Sequence, residues 1–172
     1  MSDTIFISED QLVSELWARD VRFLMGKRSA ISTPQLTVSQ LVAALAQSED
    51  PRARFSLIPL FLRHPEYSAD VTAADKALST QASQLTLRFY YTAAVFLQRK
   101  YRARIIHIMG EQPQLADLFS KKLGVLSNKS PNDALIQLAK QHHALTGQFV
   151  NWLGTYEHAA DVWLRQMELQ KA

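Results

Sequence analysis

The chain has 172 residues, of which 47% are hydrophobic and 20% are charged, and it carries a net charge of +3. This balance excludes an intrinsically disordered chain, because enough apolar side chains are available to form a core. Cysteine is absent, which excludes disulfides, thiolate catalysis and cysteine-bound zinc, and the five glycines argue against a glycine-rich phosphate loop.

Two capping boxes predict where the first two helices begin. At residues 8–11 and 37–40, a hydroxyl side chain is followed three positions later by a glutamine, and apolar residues flank each pair. The first of these helices is predicted to extend to about Met25. A third helix is predicted after Asp50 and Pro51, because an aspartate N-cap followed by proline is a favoured helix start.

Residues 72–109 predict one long central helix. Its first part is small and polar, but from Leu85 onward apolar side chains lie on most sides, which is typical of a helix in the middle of a molecule. The longest strongly apolar stretch without charge, residues 89–98, lies in this helix. It has half of the roughly 20 residues that a membrane-spanning helix needs, so we expect no membrane contact.

The remainder of the chain predicts two more helices. A short helix is expected over residues 114–123, and a last one from Ser130 to the C-terminus, with candidate breaks at Gly147 and Gly154. No alternating pattern longer than residues 4–7 predicts a strand. The fold class is therefore predicted to be all-α, a compact bundle of five to seven helices around the central helix.

The predicted bundle forms a single domain over residues 1–172, with a candidate sub-boundary near residues 110–113, where Gly110 and Pro113 end the central helix. The first three residues lack the basic region of a signal peptide. We therefore expect a cytoplasmic protein.

Positive charge is concentrated in the middle of the chain. Residues 76–140 contain ten lysines and arginines against three acids, whereas residues 1–75 contain seven against ten. No carboxylate occurs between Asp75 and Glu111. At about 100° per residue, the cations of the central helix project from one side of it, opposite its tyrosines. The predicted nucleic-acid-binding residues belong to this basic face and to the short helix after it: Arg88, Arg99, Lys100, Arg102, Arg104, Lys121 and Lys122.

One interpretation is that the basic face contacts the phosphate backbone of RNA or DNA, because arginine forms bidentate contacts with phosphate. The chain would then be a non-catalytic small subunit of a larger ribonucleoprotein or DNA-processing complex. This function depends on the basic face being open to solvent.

A second interpretation is a protein-interaction module, either an adaptor or a homodimeric bundle, without nucleic-acid contact. The aromatic run at residues 89–91 and the tryptophans of the last helix would then serve a partner protein or a second copy. In that case the basic face is solvated, or it docks on the acidic first helix. That helix offers Glu9, Asp10, Glu15 and Asp20.

A catalytic or metal site is not predicted. Arg102-x4-His107 resembles the Arg-x(4–6)-His spacing of HEPN-type ribonucleases, which implies metal-independent RNA cleavage as a third alternative. Roughly one such spacing is expected by chance from 11 arginines and five histidines. His142, His143 and His158 show no arrangement that would bring a third ligand to one point. We therefore predict no catalytic residue, no metal and no cofactor.

Overall fold

The computed structural model describes residues 7–24 and 33–171, and every regular element in these two ranges is a helix. The α-helices are α1 (Glu9–Ala18), α2 (Val38–Ala46), α3 (Pro51–Phe55), α4 (Leu57–Arg63), α5 (Val71–Ala77), α6 (Gln81–Lys100), α7 (Arg102–Met109), α8 (Ser120–Leu123), α9 (Pro131–Thr146) and α10 (Trp152–Lys171). A 3₁₀ helix (Pro65–Asp70) precedes α5. The predicted all-α helical bundle is confirmed, although the chain is divided into more and shorter helices than the five to seven expected.

The helix starts predicted from the caps at residues 8, 37, 50 and 130 are confirmed, but the end predicted for the first helix is wrong. Helix α1 ends at Ala18, because Asp20 adopts a left-handed backbone conformation with φ 61°. The N–H of Asp20 then bonds to the carbonyl of Trp17, and the N–H of Val21 bonds to that of Leu16. These two bonds form a Schellman motif, which satisfies the last carbonyls of the helix. Met25, the predicted end, lies outside the described residues.

The single central helix predicted over residues 72–109 is three helices, α5, α6 and α7. Leu78 is extended, and the Thr80 hydroxyl caps α6 by accepting a hydrogen bond from the N–H of Ser83. The Gln84 side chain turns back and donates to the carbonyls of Asp75 and Leu78 at 3.1 and 3.3 Å. Polar side chains thus replace the helical hydrogen bonds that the break removes.

The helix predicted over residues 114–123 is also wrong, since only its last four residues are helical. Before these four residues, side chains of α6 hold the chain in a non-helical conformation. The Gln98 amide donates to the Pro113 carbonyl at 2.9 Å and accepts from the Leu115 N–H at 2.8 Å, and the Tyr91 hydroxyl donates to the Ala116 carbonyl. These side chains satisfy backbone groups that a helix would otherwise pair internally.

Of the two glycines expected to break the last helix, only Gly147 does so. It has φ 68° and ends α9, as a residue without a side chain can. Gly154 lies in the first turn of α10, where its N–H donates to the Asn151 side chain at 3.0 Å. That bond caps the helix, so Gly154 follows the break instead of making it.

Helix α6 lies at the centre of the fold. Every residue from Phe89 to Gln98 is buried, and α6 packs against α2, α4, α9 and α10. Burial raises the pKa of Tyr91 to about 12, so this hydroxyl stays protonated and donates its hydrogen bond. Among the described residues, no helix is long and apolar enough to cross a membrane.

Candidate functional site

The first predicted site residue, Arg88, is neutralised within the chain. Its Nε and Nη2 atoms donate to the two carboxylate oxygens of Asp75, each at 3.0 Å. The Asp75 side chain is 10% exposed, and the guanidinium also lies over the Phe119 ring, 5.8 Å from its centroid. This bidentate pair occupies the Nε–Nη2 edge of the guanidinium. Arg88 is therefore engaged in joining α5 to α6.

Helix α10 neutralises two further cations of the predicted face. Lys100 donates to Glu157 at 2.8 Å. Arg104 donates to Glu168 at 2.9 Å through Nε, and to Asp161 at 3.3 Å through Nη1. These two cations connect α10 to the C-terminal end of α6 and to α7.

The carboxylates that neutralise the face are not those expected from the sequence. Within α1, Glu15 pairs with Arg19 at 2.6 Å and accepts hydrogen bonds from the N–H groups of Gln35 and Leu36. Asp20, just after α1, lies 3.3 Å from Arg63. The acids of the first helix therefore do not neutralise the basic face, whereas Asp75, at the end of the acidic N-terminal part of the chain, pairs with Arg88. The acids of α1 instead hold the residues that lead into α2.

Four of the seven predicted residues have no carboxylate partner or only an exposed one, and we call them the residual cations: Arg99, Arg102, Lys121 and Lys122. The Arg102 guanidinium lies 3.7 Å from Glu111, and both side chains are more than 70% exposed. Within the described ranges, no carboxylate oxygen lies within 4.0 Å of the other three. Arg99 donates to the Ser127 carbonyl at 3.2 Å, and with Arg102 it lines a groove of about 410 Å³.

The histidines do not form a metal site in the described part of the chain, where no three acidic or histidine side chains come together. His143 and His158 are exposed, whereas His142 is buried. Arg102 and His107 both lie on α7 and are exposed. No described contact joins these two side chains.

An aromatic stack that the sequence analysis missed surrounds His142. Its imidazole lies between the rings of Phe89 and Trp152, with centroids 4.2 and 3.5 Å away and interplanar angles of 2° and 10°. Its Nδ1 lies 2.5 Å from the Tyr156 hydroxyl. Burial lowers the pKa of His142 to about 3, so the ring is neutral at pH 7. The four residues come from α6, α9 and α10, and no local spacing connects them.

Two members of this stack, His142 and Trp152, line a cleft of about 910 Å³, which we call the polar cleft, and with Tyr90 of α6 they form its floor. Its walls are residues 46–48, three residues of α3 (Pro51, Arg54 and Phe55), the first turns of α6, and the connection between α9 and α10. Arg54 is the one cation among the described residues that line it, and those residues include no carboxylate. Clefts of this size ordinarily take small molecules.

Beside the mouth of the polar cleft lies a group of exposed apolar side chains, which we call the apolar rim: Leu145, Phe149 and Val150. Phe149 is 96% exposed, and the other two are exposed by 51% and 41%. The segment is held in place, because the Gln148 carbonyl accepts from the Val150 N–H at 3.0 Å and lies 2.9 Å from the His143 ring nitrogen. Large apolar side chains held in water are costly unless a partner covers them.

Comparisons with known proteins find no match to this chain among family models, curated proteins or solved structures. The proposals below therefore rest on the geometry of the described residues.

Proposed function

We propose that this chain is a non-catalytic helical interaction subunit that binds a partner protein through the apolar rim. The observation that carries the proposal is the 96% exposure of Phe149 on a segment whose backbone is held by hydrogen bonds. An aromatic side chain presented in this way is typical of an interface anchor, because it buries a large area with little loss of side-chain entropy.

The size of the apolar rim limits what it can do alone. Burying each of its three side chains is worth about 1.5–3 kcal/mol. The total, about 9 kcal/mol at most, is comparable with the cost of about 4–15 kcal/mol for bringing two proteins together. The rim is therefore the anchor of a larger interface and does not form the whole of it.

Site-specific cross-linking tests this proposal. A photoreactive phenylalanine analogue placed at Phe149 is expected to give a discrete protein adduct in cells that naturally express the chain. The control carries the same analogue at Leu169, which is 75% exposed and lies near the end of α10. Mass spectrometry identifies the adduct as a partner protein or a second copy. Equal labelling from both positions, or no adduct from position 149, contradicts the proposal.

The second candidate function is contact with a nucleic-acid backbone through the residual cations. It is supported by the exposure of Arg102, Lys121 and Lys122, and weakened by the internal pairing of Arg88, Lys100 and Arg104. Each phosphate contact contributes about 0.9 to the slope of log K against log salt. Four residual cations therefore limit that slope to about 3.6.

A salt series with RNA and DNA tests the second candidate. Replacing Arg102, Lys121 and Lys122 together by glutamine is expected to reduce both affinity and slope. The matched control is Arg104→Gln, because Arg104 is already paired with Glu168 and Asp161. A slope that is equal in the wild type and the triple variant contradicts nucleic-acid contact at these residues.

A further inference from the structure

The polar cleft contains hydrogen-bond donors that no described group satisfies. Trp152 is 6% exposed, its indole N–H has no hydrogen-bond partner, and it lines the cleft. A buried indole N–H without an acceptor is costly, since its desolvation is not offset. The Nε1 atom is itself closed off from solvent, so an acceptor reaches it only if ligand binding moves the indole ring.

His142 adds a second donor to the floor of the cleft. Burial raises the pKa of Tyr156 well above its ordinary value, so its hydroxyl keeps its proton. The one described partner of that hydroxyl is the Nδ1 atom of His142. A buried hydroxyl donates where it can, so Nδ1 accepts. The imidazole proton therefore resides on Nε2, and His142 lines the cleft whereas Tyr156 does not.

The charge of the cleft favours an anion. One guanidinium nitrogen of Arg54 donates to the Ser48 carbonyl at 2.7 Å, and its other donors have no partner among the described residues. The cleft-lining Tyr90 lies close enough for the Arg54 charge to lower the pKa of its hydroxyl, although burial outweighs this effect and raises that pKa overall. Since no carboxylate lines the described walls, the cation is not neutralised within the cleft.

The number of cations distinguishes between kinds of anion. A phosphate group carries close to two charges at neutral pH and is ordinarily held by several cations or by a row of backbone N–H groups. A carboxylate carries one charge and fits one guanidinium. The same walls supply apolar surface from Phe55, Leu85 and Trp152, which suits a ligand with an apolar body.

We propose that the polar cleft binds a small organic carboxylate, whose anionic end pairs with Arg54 and whose apolar body lies against Phe55 and Trp152. The His142 Nε2–H group meets an acceptor atom of the ligand. The cleft shares Leu145 and Val150 with the apolar rim, but Phe149, the proposed anchor for the partner, does not line it. The Arg54 variants below therefore test the ligand site, whereas the cross-link at Phe149 tests the partner surface.

Calorimetric titration with a matched pair of probes tests the proposal. Phenylacetate carries the carboxylate, and phenylacetamide has the same shape without the charge. We expect phenylacetate to bind roughly tenfold more tightly or better, since a charge-assisted pair with Arg54 is made by the acid alone. Hexanoate, an aliphatic acid, tests whether the apolar body must be aromatic, and inorganic phosphate tests the anion class.

Two variants of α3 test whether Arg54 is the residue that binds the carboxylate. Arg54→Gln is expected to weaken phenylacetate binding to the level of the amide and to leave amide binding unchanged, which also shows that the cleft is still folded. Arg52→Gln removes a neighbouring charge that is exposed and outside the cleft, and is expected to change neither. Trp152→Phe is expected to weaken both probes, because the smaller phenyl ring leaves less apolar surface for the body of either probe.

Four results would overturn the proposal. The first is equal binding of acid and amide, and the second is an equal effect of the two arginine variants on phenylacetate. The third is the absence of binding by either carboxylate at concentrations on the order of 10 mM, well above the range expected for a fragment-sized ligand in a built site. Tighter binding of inorganic phosphate than of the carboxylates would also contradict the assignment of anion class.

Discussion

Acid is expected to destabilise this protein through His142, and removing that one imidazole should reduce the effect. In the folded chain the ring lies between Phe89 and Trp152, and burial lowers its pKa to about 3. In the unfolded chain the pKa of a histidine is about 6.5. Between these values the unfolded chain takes up a proton that the folded chain does not, so stability falls as the pH falls below 6.5.

The magnitude follows from the two pKa values of His142. At pH 5 the linkage relation gives a loss of about 2 kcal/mol relative to pH 8. This figure depends mainly on the unfolded pKa, because the folded imidazole is already neutral at pH 5. Such a loss is a large fraction of the roughly 5–15 kcal/mol by which domains are stable.

Urea unfolding at pH 8, 7, 6 and 5 measures this effect in the wild type and in His142→Phe. The variant keeps an aromatic ring in the stack but leaves the Tyr156 hydroxyl without its acceptor, which lowers its stability by a similar amount at each pH. The difference in unfolding free energy between the two proteins should shrink by about 2 kcal/mol from pH 8 to pH 5. His158→Gln, at an exposed position, is the control. Parallel curves for the wild type and His142→Phe would refute the reasoning.

Three further predictions concern residues that connect neighbouring segments of the fold or end a helix. Replacing Arg88 or Asp75 singly by alanine should lower the unfolding free energy by about 3–5 kcal/mol, because each change leaves a largely buried charge unpaired. The double variant should lose less than the sum of the two single losses. A double-mutant cycle from urea unfolding that gives zero coupling energy would contradict this. Gln98→Leu should cost about 1–3 kcal/mol in urea unfolding, because it leaves the Pro113 carbonyl and the Leu115 N–H unsatisfied. It should also increase hydrogen exchange of the Leu115 amide, and unchanged exchange would count against this role. Gly147→Ala should lower the unfolding free energy by about 1–2 kcal/mol because residue 147 has a positive φ, although the added Cβ atom meets no other atom within 4 Å. Gly147→Asn should cost less, because asparagine tolerates a positive φ better than alanine does. Equal thermal midpoints for the two variants would argue against a backbone origin of the loss.

The helix starts could be predicted because their signals are local. A hydroxyl or carboxylate followed by its capping partner lies within four residues, and Thr37 with Gln40 forms both bonds of a capping box in the structure. The break after α5 and the non-helical path before α8 were missed. Their causes, Gln84 and Gln98, act on backbone groups six to 17 residues away.

The candidate sites show the same division between local and distant causes. The arginine-rich side of the central helix is visible in the sequence, and so is the absence of nearby carboxylates along the chain. The sequence does not show that Glu157, Asp161 and Glu168 lie opposite it, since they are 57 to 64 residues from their partners. No pattern in the sequence indicates the polar cleft, because the residues of its floor come from three different helices.

The amino-acid sequence alone determined the helical class, the positions of the caps and the surplus of positive charge, because each depends on composition or on residues within one turn of each other. The tertiary structure decided which charges remain open to a partner and where a ligand can enter. Those properties depend on which helices pack side by side. Packing brings Asp75 to Arg88, α10 to Lys100 and Arg104, and a neutral histidine between two aromatic rings.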